Sequence, residues 1–202
     1  LYAQDAWSFA PRWKAVLGLR GERWSAYSGS TAIPGAAPAI DTRWAGRSQT
    51  HLSPKAALSW QWLPDTVLKA SAGRAVRFPT VSELYGATAT ANAQYINDPN
   101  LRPEKSWTTE LSAEKDLGSS LLRLTLFTED THDALYSQTT LDTVANRNVS
   151  RVQNVGRIQT KGLELAWSGS DVLHRGLDLN ASVTYADSVI KDNAGFVTVP
   201  GD

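Results

Sequence analysis

Stretches of about ten residues in which apolar and polar side chains alternate recur about eight times along this chain, and the gaps between them are by turns very short and very long. Between Lys105 and Leu117, for example, Trp107, Leu111, Ala113 and Leu117 fall on one face. Ser106, Thr108, Glu110, Ser112, Glu114 and Asp116 fall on the other. A period of two describes a strand with one dry side and one wet side, so the chain is built from strands rather than helices.

The strands group into four pairs. Residues 1–10 and 13–24 turn at Pro11 and Arg12, where proline presets the bend and donates nothing to a ladder. Asp5 is out of place in this pair, because it shares a face with Leu1, Trp7 and Phe9. Residues 51–62 and 66–77 turn at Leu63-Pro64-Asp65, residues 105–117 and 120–136 at Gly118-Ser119, and the last pair covers 149–168 and 176–187. Three polar or glycine- and proline-containing stretches separate the pairs: 25–50, 78–104 and 137–147. Within the second of these, Pro79 to Tyr85 suits a turn or two of helix, since proline is accepted at a helix start.

Short turns at one end and long loops at the other are the outer-membrane pattern, whereas a soluble sandwich needs only the alternation. Trp7, Trp13, Trp24, Trp60, Trp62, Trp107 and Trp167 lie near strand ends, where an indole can sit at headgroup level with one edge wet. In lipid no water satisfies a sheet edge, so such strands must close into a barrel. The inward set, Lys55, Glu110, Glu114, Arg123 and Asp178, is too charged for the packed interior of a small barrel and suits a wide, wet lumen. We therefore expect an all-β, antiparallel transmembrane barrel, with about eight strands belonging to a larger one.

Composition removes other classes. Lys plus Arg and Asp plus Glu both number 20, and the two signs are mixed, so no basic stripe speaks for nucleic acid. The absence of cysteine excludes a disulfide scaffold and a thiol nucleophile. His51, His132 and His174 are scattered without metal-type spacing, and no catalytic motif is present, so neither an enzyme nor a metal site is expected. Glu129, Asp130 and Asp133 read as a solvated acidic face rather than a calcium site. There is no methionine; the chain opens inside a strand, closes on Val199-Pro-Gly-Asp202 and carries no signal segment, so it reads as a piece of a longer protein.

Four segments carry a family resemblance. Arg74-Ala-Val-Arg-Phe-Pro-Thr-Val-Ser-Glu-Leu-Tyr85 resembles the "FRAPT…EL" segment of TonB-dependent outer-membrane receptors, and Asn97-Asp-Pro-Asn-Leu-Arg-Pro-Glu104 resembles their "NPNLKPE". Val152-Gln-Asn-Val-Gly156 with Thr160-Lys-Gly-Leu-Glu-Leu165 is similar to "NVG…KGVELE", and Leu1-Tyr-Ala-Gln-Asp-Ala-Trp7 to "YxQDxW". The four occur in the family's order. Read from the residues alone, Pro99 and Pro103 aim the chain into the next strand, and Gly156 and Gly162 serve crowded backbone.

The resemblance implies a 22-stranded barrel with short periplasmic turns and long extracellular loops, plugged by an N-terminal domain. Residues 1–202 would be a partial barrel, lacking the plug and the final strands. It implies an outer-membrane importer of a scarce nutrient, commonly an iron chelate or cobalamin and here a ferric siderophore first among them, energised by TonB through the absent N-terminal region, with no cofactor of its own. Trp44, Arg77, Tyr85 and Tyr95 are the candidate ligand contacts: rings that stack on a chelator and a guanidinium that pairs with its acidic oxygens. The rival readings are a passive porin or small barrel, an outer-membrane barrel enzyme, and a secreted soluble β-sandwich or adhesin module. Expressed alone, residues 1–202 are expected to aggregate rather than fold.

Overall fold

The computed structural model describes residues 1–33, 40–90, 92–144 and 146–194. Eight long strands form a single antiparallel meander: β1 (Tyr2–Ala10), β2 (Trp13–Ala26), β5 (Arg47–Leu63), β6 (Thr66–Arg77), β9 (Glu104–Asp116), β10 (Ser120–Asp142), β11 (Arg147–Gly169) and β12 (Leu179–Asp192). Between them lie the short β3 (Ser30–Ile33), β4 (Ile40–Arg43), β7 (Thr88–Ala89) and β8 (Ala93–Ile96), and one helix, α1 (Val81–Tyr85). No helix among the described residues is long and apolar enough to cross a membrane.

The strand registers show what the alternation is for. Trp13, Trp60, Leu68, Ala113, Leu124, Leu165 and Val183 stand side by side in one row across seven strands. The next row is Trp7, Ala15, Leu58, Ala70, Leu111, Leu126, Leu163 and Tyr185. These side chains lie on the outside of the sheet, and many are open: Leu111 is 56% exposed and Val183 70%. A continuous apolar face of this extent is an aggregation surface in water and a lipid surface in a bilayer. No second sheet packs on it among the described residues, which rules out the sandwich architecture.

One row higher stand Asp5, Leu17, Ala56, Ala72, Thr109, Thr128, Lys161 and Asp187. On β2 the belt still continues here through Leu17 and on to Leu19, while from β9 to β12 it has already turned polar. The belt thus slides along the strands as it crosses the sheet, which is what strand tilt in a barrel wall requires. Asp5 stands beside Leu17 in the apolar part of this row, where its carboxylate accepts the Ala6 amide at 2.9 Å. Phe9, Trp13, Trp60 and Trp62 form an aromatic chain on the side of the short turns, with Trp13 and Trp60 stacked at 5.3 Å and 6°.

Several expectations are corrected. The stretch 137–147 is mostly strand: β10 runs to Asp142 and β11 resumes at Arg147, making a hairpin of 23 residues on each side. Its upper part has lost the belt's alternation, and its apolar residues Leu135 and Val152 pack on the 78–103 connection instead. The stretch 25–50 contains the end of β2, the β3–β4 hairpin and the start of β5. β12 begins at Leu179, and Asp178 is no lumen residue: in the 170–178 turn it accepts the Asp171 amide at 3.1 Å. Trp24 is not in a boundary girdle. Its even position on β2 turns it to the lumen side, where it stacks on Phe78 at 5.9 Å.

The glycine expectation holds. A Cβ on Gly162 would collide with the Phe127 ring and the Tyr185 carbonyl, and one on Gly156 would lie 2.6 Å from Asp192 Oδ2. The acidic trio is hydrogen-bonded or ion-paired locally. Glu129 accepts from Ser106 and Thr131, Asp130 pairs with Arg157 (Nε to Oδ1, 2.8 Å), and Asp133 pairs with Arg102 and Lys105.

Candidate ligand mouth

The lumen side of the wall changes character with height. Near the short turns Glu114 holds Lys69 at 2.6 Å and Arg123 at 2.7 Å, and Ser71 donates to Glu110 at 3.3 Å. Higher up, Lys55 lies across Gly18 and places its ammonium 5.4 Å from the Tyr2 ring centroid. Lys55, Glu110, Glu114 and Arg123 therefore do face inward as expected.

At the long-loop end the connection 78–103 folds over the inner face instead of projecting away. Thr80 caps α1: its hydroxyl accepts the Glu83 amide at 3.3 Å while Glu83 takes the Thr80 amide at 2.7 Å. Such a reciprocal pair satisfies donors that a helix of five residues would otherwise leave open. The helix presents Leu84 inward, and the later turn presents Leu101. Both are 1% exposed and pack on Val152 of β11, padded by Trp24, Ala26, Tyr85, Tyr95 and Leu135. Pro103 is also buried, so the Asn97 to Glu104 segment aims the chain and anchors it at once.

Polar groups fix the same connection from several sides. Arg47 donates to the Leu101 carbonyl at 2.6 Å, and its guanidinium lies 5.1 Å from the Trp24 ring centroid. Thr31 donates to the Tyr85 carbonyl at 3.1 Å and accepts from Trp44 Nε1 at 3.0 Å. Asn97 reaches the Leu84 carbonyl. Asn154 exchanges two hydrogen bonds with the Arg102 backbone, at 2.7 and 2.9 Å, and β8 runs parallel to Asn148–Arg151 of β11.

The four candidate contacts are thus brought to one place. Trp44, Tyr85 and Tyr95 are half-buried around α1, and Arg77 leaves the top of β6 to pair with Glu83 at 2.6 Å. Burial pushes the Glu83 carboxyl up, but the Thr80 amide and the Arg77 guanidinium outweigh it and hold the group below its usual range. Burial and then the Glu83 charge push the Tyr95 phenol above its ordinary value. Around neutrality the mouth therefore offers a neutral phenol and an ion pair whose cation is already engaged. Thr31, Arg47, Leu84, Leu101 and Asn154, which hold the arrangement, were not singled out from sequence; apolar Leu84 and Leu101 inside polar loop segments were the available signal.

A wall with an apolar outer belt, a polar lumen and a looped mouth fits more than one barrel family. Residues 1–201 match the model of the β-barrel of TonB-dependent-receptor-like proteins. The chain belongs to the TonB-dependent receptor family. Solved structures agree on the fold. The copper transporter OprC shares 20% identity over 95% of this chain with a TM-score of 0.73, and the siderophore receptor PirA from Pseudomonas aeruginosa 18% over 95% with 0.69. The Serratia marcescens hemophore receptor HasR, solved with its hemophore HasA and heme, shares 15% over 93% with 0.64. This chain spans 29%, 34% and 33% of those three receptors.

Proposed function

We propose that this TonB-dependent receptor segment is part of the wall and mouth of an outer-membrane importer that captures a scarce nutrient at its long-loop end. The observation that carries the reading is the gathering of Trp44, Arg77, Tyr85 and Tyr95 above a polar lumen, inside a wall whose other face is a lipid belt. A ferric siderophore suits this mouth: the rings stack on the chelator and Arg77 meets its acidic oxygens. Because Glu83 already holds Arg77, an anionic chelate binds by displacing that carboxylate, which selects for ligands carrying more than one negative oxygen. TonB would supply the energy through the part of the protein outside this segment.

The test uses the full-length receptor. Uptake of iron(III) presented as catecholate, hydroxamate or citrate-type chelates is measured in cells with and without the receptor, together with binding to Arg77→Ala and Tyr95→Phe variants. The proposal expects one chelate class whose uptake saturates, needs TonB and weakens roughly tenfold or more in binding to Arg77→Ala, as expected for a lost charge-assisted hydrogen bond. Uptake that is linear in concentration and independent of TonB supports a passive pore. One observation does favour that second reading: the 78–103 connection lies across the lumen side, as a porin's constricting loop does.

A further inference from the structure

The ladder between β5 and β6 stops at Lys55 and Gly73, although β5 continues to Arg47 and β6 to Arg77. Above that pair β5 bonds only to β2, and β6 only to β9. Pro54, which has no amide hydrogen to give a ladder, stands where the pairing ends. At this height Pro54 and Arg74 stand between Leu19 and Trp107 in the outer row, so the open edges begin at the top of the belt, where Arg74 satisfies one of them through the Leu52 carbonyl.

The upper wall is therefore two panels. One holds β1, β2, β5 and the β3–β4 hairpin; the other holds β6, the 78–103 connection and β9 to β12. Among the described residues no backbone ladder joins them above Lys55 and Gly73, and side chains join them instead. Arg74 of one panel donates to the Leu52 carbonyl of the other at 3.0 Å. Phe78 inserts between Trp24 and His51, at 5.9 and 5.6 Å. Arg47 to Leu101 and Thr31 to Tyr85 cross the same line, as does the packing of Trp24 and Ala26 on Leu84, Leu101 and Val152.

We infer that the mouth opens by parting of these two panels along the β5–β6 line, with the α1 cluster as the clasp that keeps them together. A laddered wall of this size resists opening at every pair of strands. Here the resistance is concentrated in a few side-chain contacts, most of them made by the segment that would first meet an incoming ligand. The inference does not depend on which nutrient is carried.

The experiment measures spin-label distances in the full-length receptor in outer-membrane vesicles. Arg23→Cys with Arg151→Cys spans the two panels; Ala75→Cys with Arg151→Cys lies within one. All three positions are exposed. The cross-panel distribution is expected to be the broader of the two and to broaden further with Phe78→Ala, while the within-panel distribution stays narrow. A cross-panel distribution as narrow as the other, and unmoved by Phe78→Ala, overturns the inference. Hydrogen exchange on the unlabelled receptor is a second reading: amides of 47–53 and 74–77 that face the line exchange faster than amides of the β9–β10 ladder. Equal protection counts against it.

Discussion

Leu84→Ala should loosen the mouth without disturbing the barrel. Leu84 is 1% exposed between Leu101 and Val152, so the substitution removes three carbons that are all buried. At about 0.8 kcal/mol each they account for about 2.4 kcal/mol, and the residual cavity carries the cost towards ~5 kcal/mol. On the local opening of the 78–103 connection, 2.4 kcal/mol is roughly a 50-fold shift in equilibrium. The assay is hydrogen exchange at the Leu84 and Gly86 amides, which bond to Thr80 and Ser82, together with limited proteolysis in the connection. Leu111→Ala, the same chemical change at a 56% exposed belt position, is the control and leaves those amides alone. If Leu84→Ala changed their exchange less than about threefold in a folded receptor, the claim that this cluster pins the mouth to the wall would fail.

Glu83→Ala removes the acceptor of the Thr80 amide and the Arg77 pair, while the residue-83 amide can still donate to the Thr80 hydroxyl, so α1 should lose about 1 kcal/mol, read by exchange at Leu84. Glu83 is depressed in the folded mouth, so its contribution is present above the ordinary carboxylate value of 4.5 and is lost as pH falls below it. Trp fluorescence of the mouth should thus be flat from pH 8 to about 5 and change only in more acid solution. Gly162→Val should block assembly or lower stability by at least about 2 kcal/mol, and Phe127→Ala should rescue it only in part, because one of the two clashes is with the Tyr185 carbonyl; heat-modifiability on gels reads both. Residues 1–202 expressed alone should collect in inclusion bodies, since β1 and β12 each have one side without a partner strand among the described residues. A soluble, cooperatively melting monomer would refute that.

Within the belt the sequence was an accurate guide, because an apolar outer face and a polar lumen face impose a period of two on the strands. Lys105 to Leu117 shows this, and Leu177 to Tyr185 shows it from Leu179 onward. Above the belt no continuous apolar row imposes a period of two, and residues such as Leu135 and Val152 are buried by the 78–103 connection instead, which is why the top of the β10–β11 hairpin reads as a loop. Trp24 departs from expectation for a different reason: nearness to a strand end suggests a girdle ring, but its even position on β2, opposite in sense to Trp13 and Leu17, turns it to the lumen side. The gathering of Trp44, Arg77, Tyr85 and Tyr95 was guessable one residue at a time, but the contacts that gather them join residues far apart in the chain. Arg47 to Leu101 spans 54 positions and Asn97 to Thr31 spans 66, and no local pattern encodes such pairs. The end of the β5–β6 ladder had one visible mark, Pro54 inside an otherwise regular strand.

The central claim is that one face of this sheet meets lipid and the other a wet lumen. Single cysteines along β9 of the full-length receptor, in outer-membrane vesicles, test it directly with a lipid-soluble and a charged maleimide. Strict alternation is expected: positions 107, 111 and 113 react with the lipid-soluble reagent, and positions 108, 110 and 112 with the charged one. Uniform labelling by the charged reagent, or alternation in the opposite sense, would contradict it.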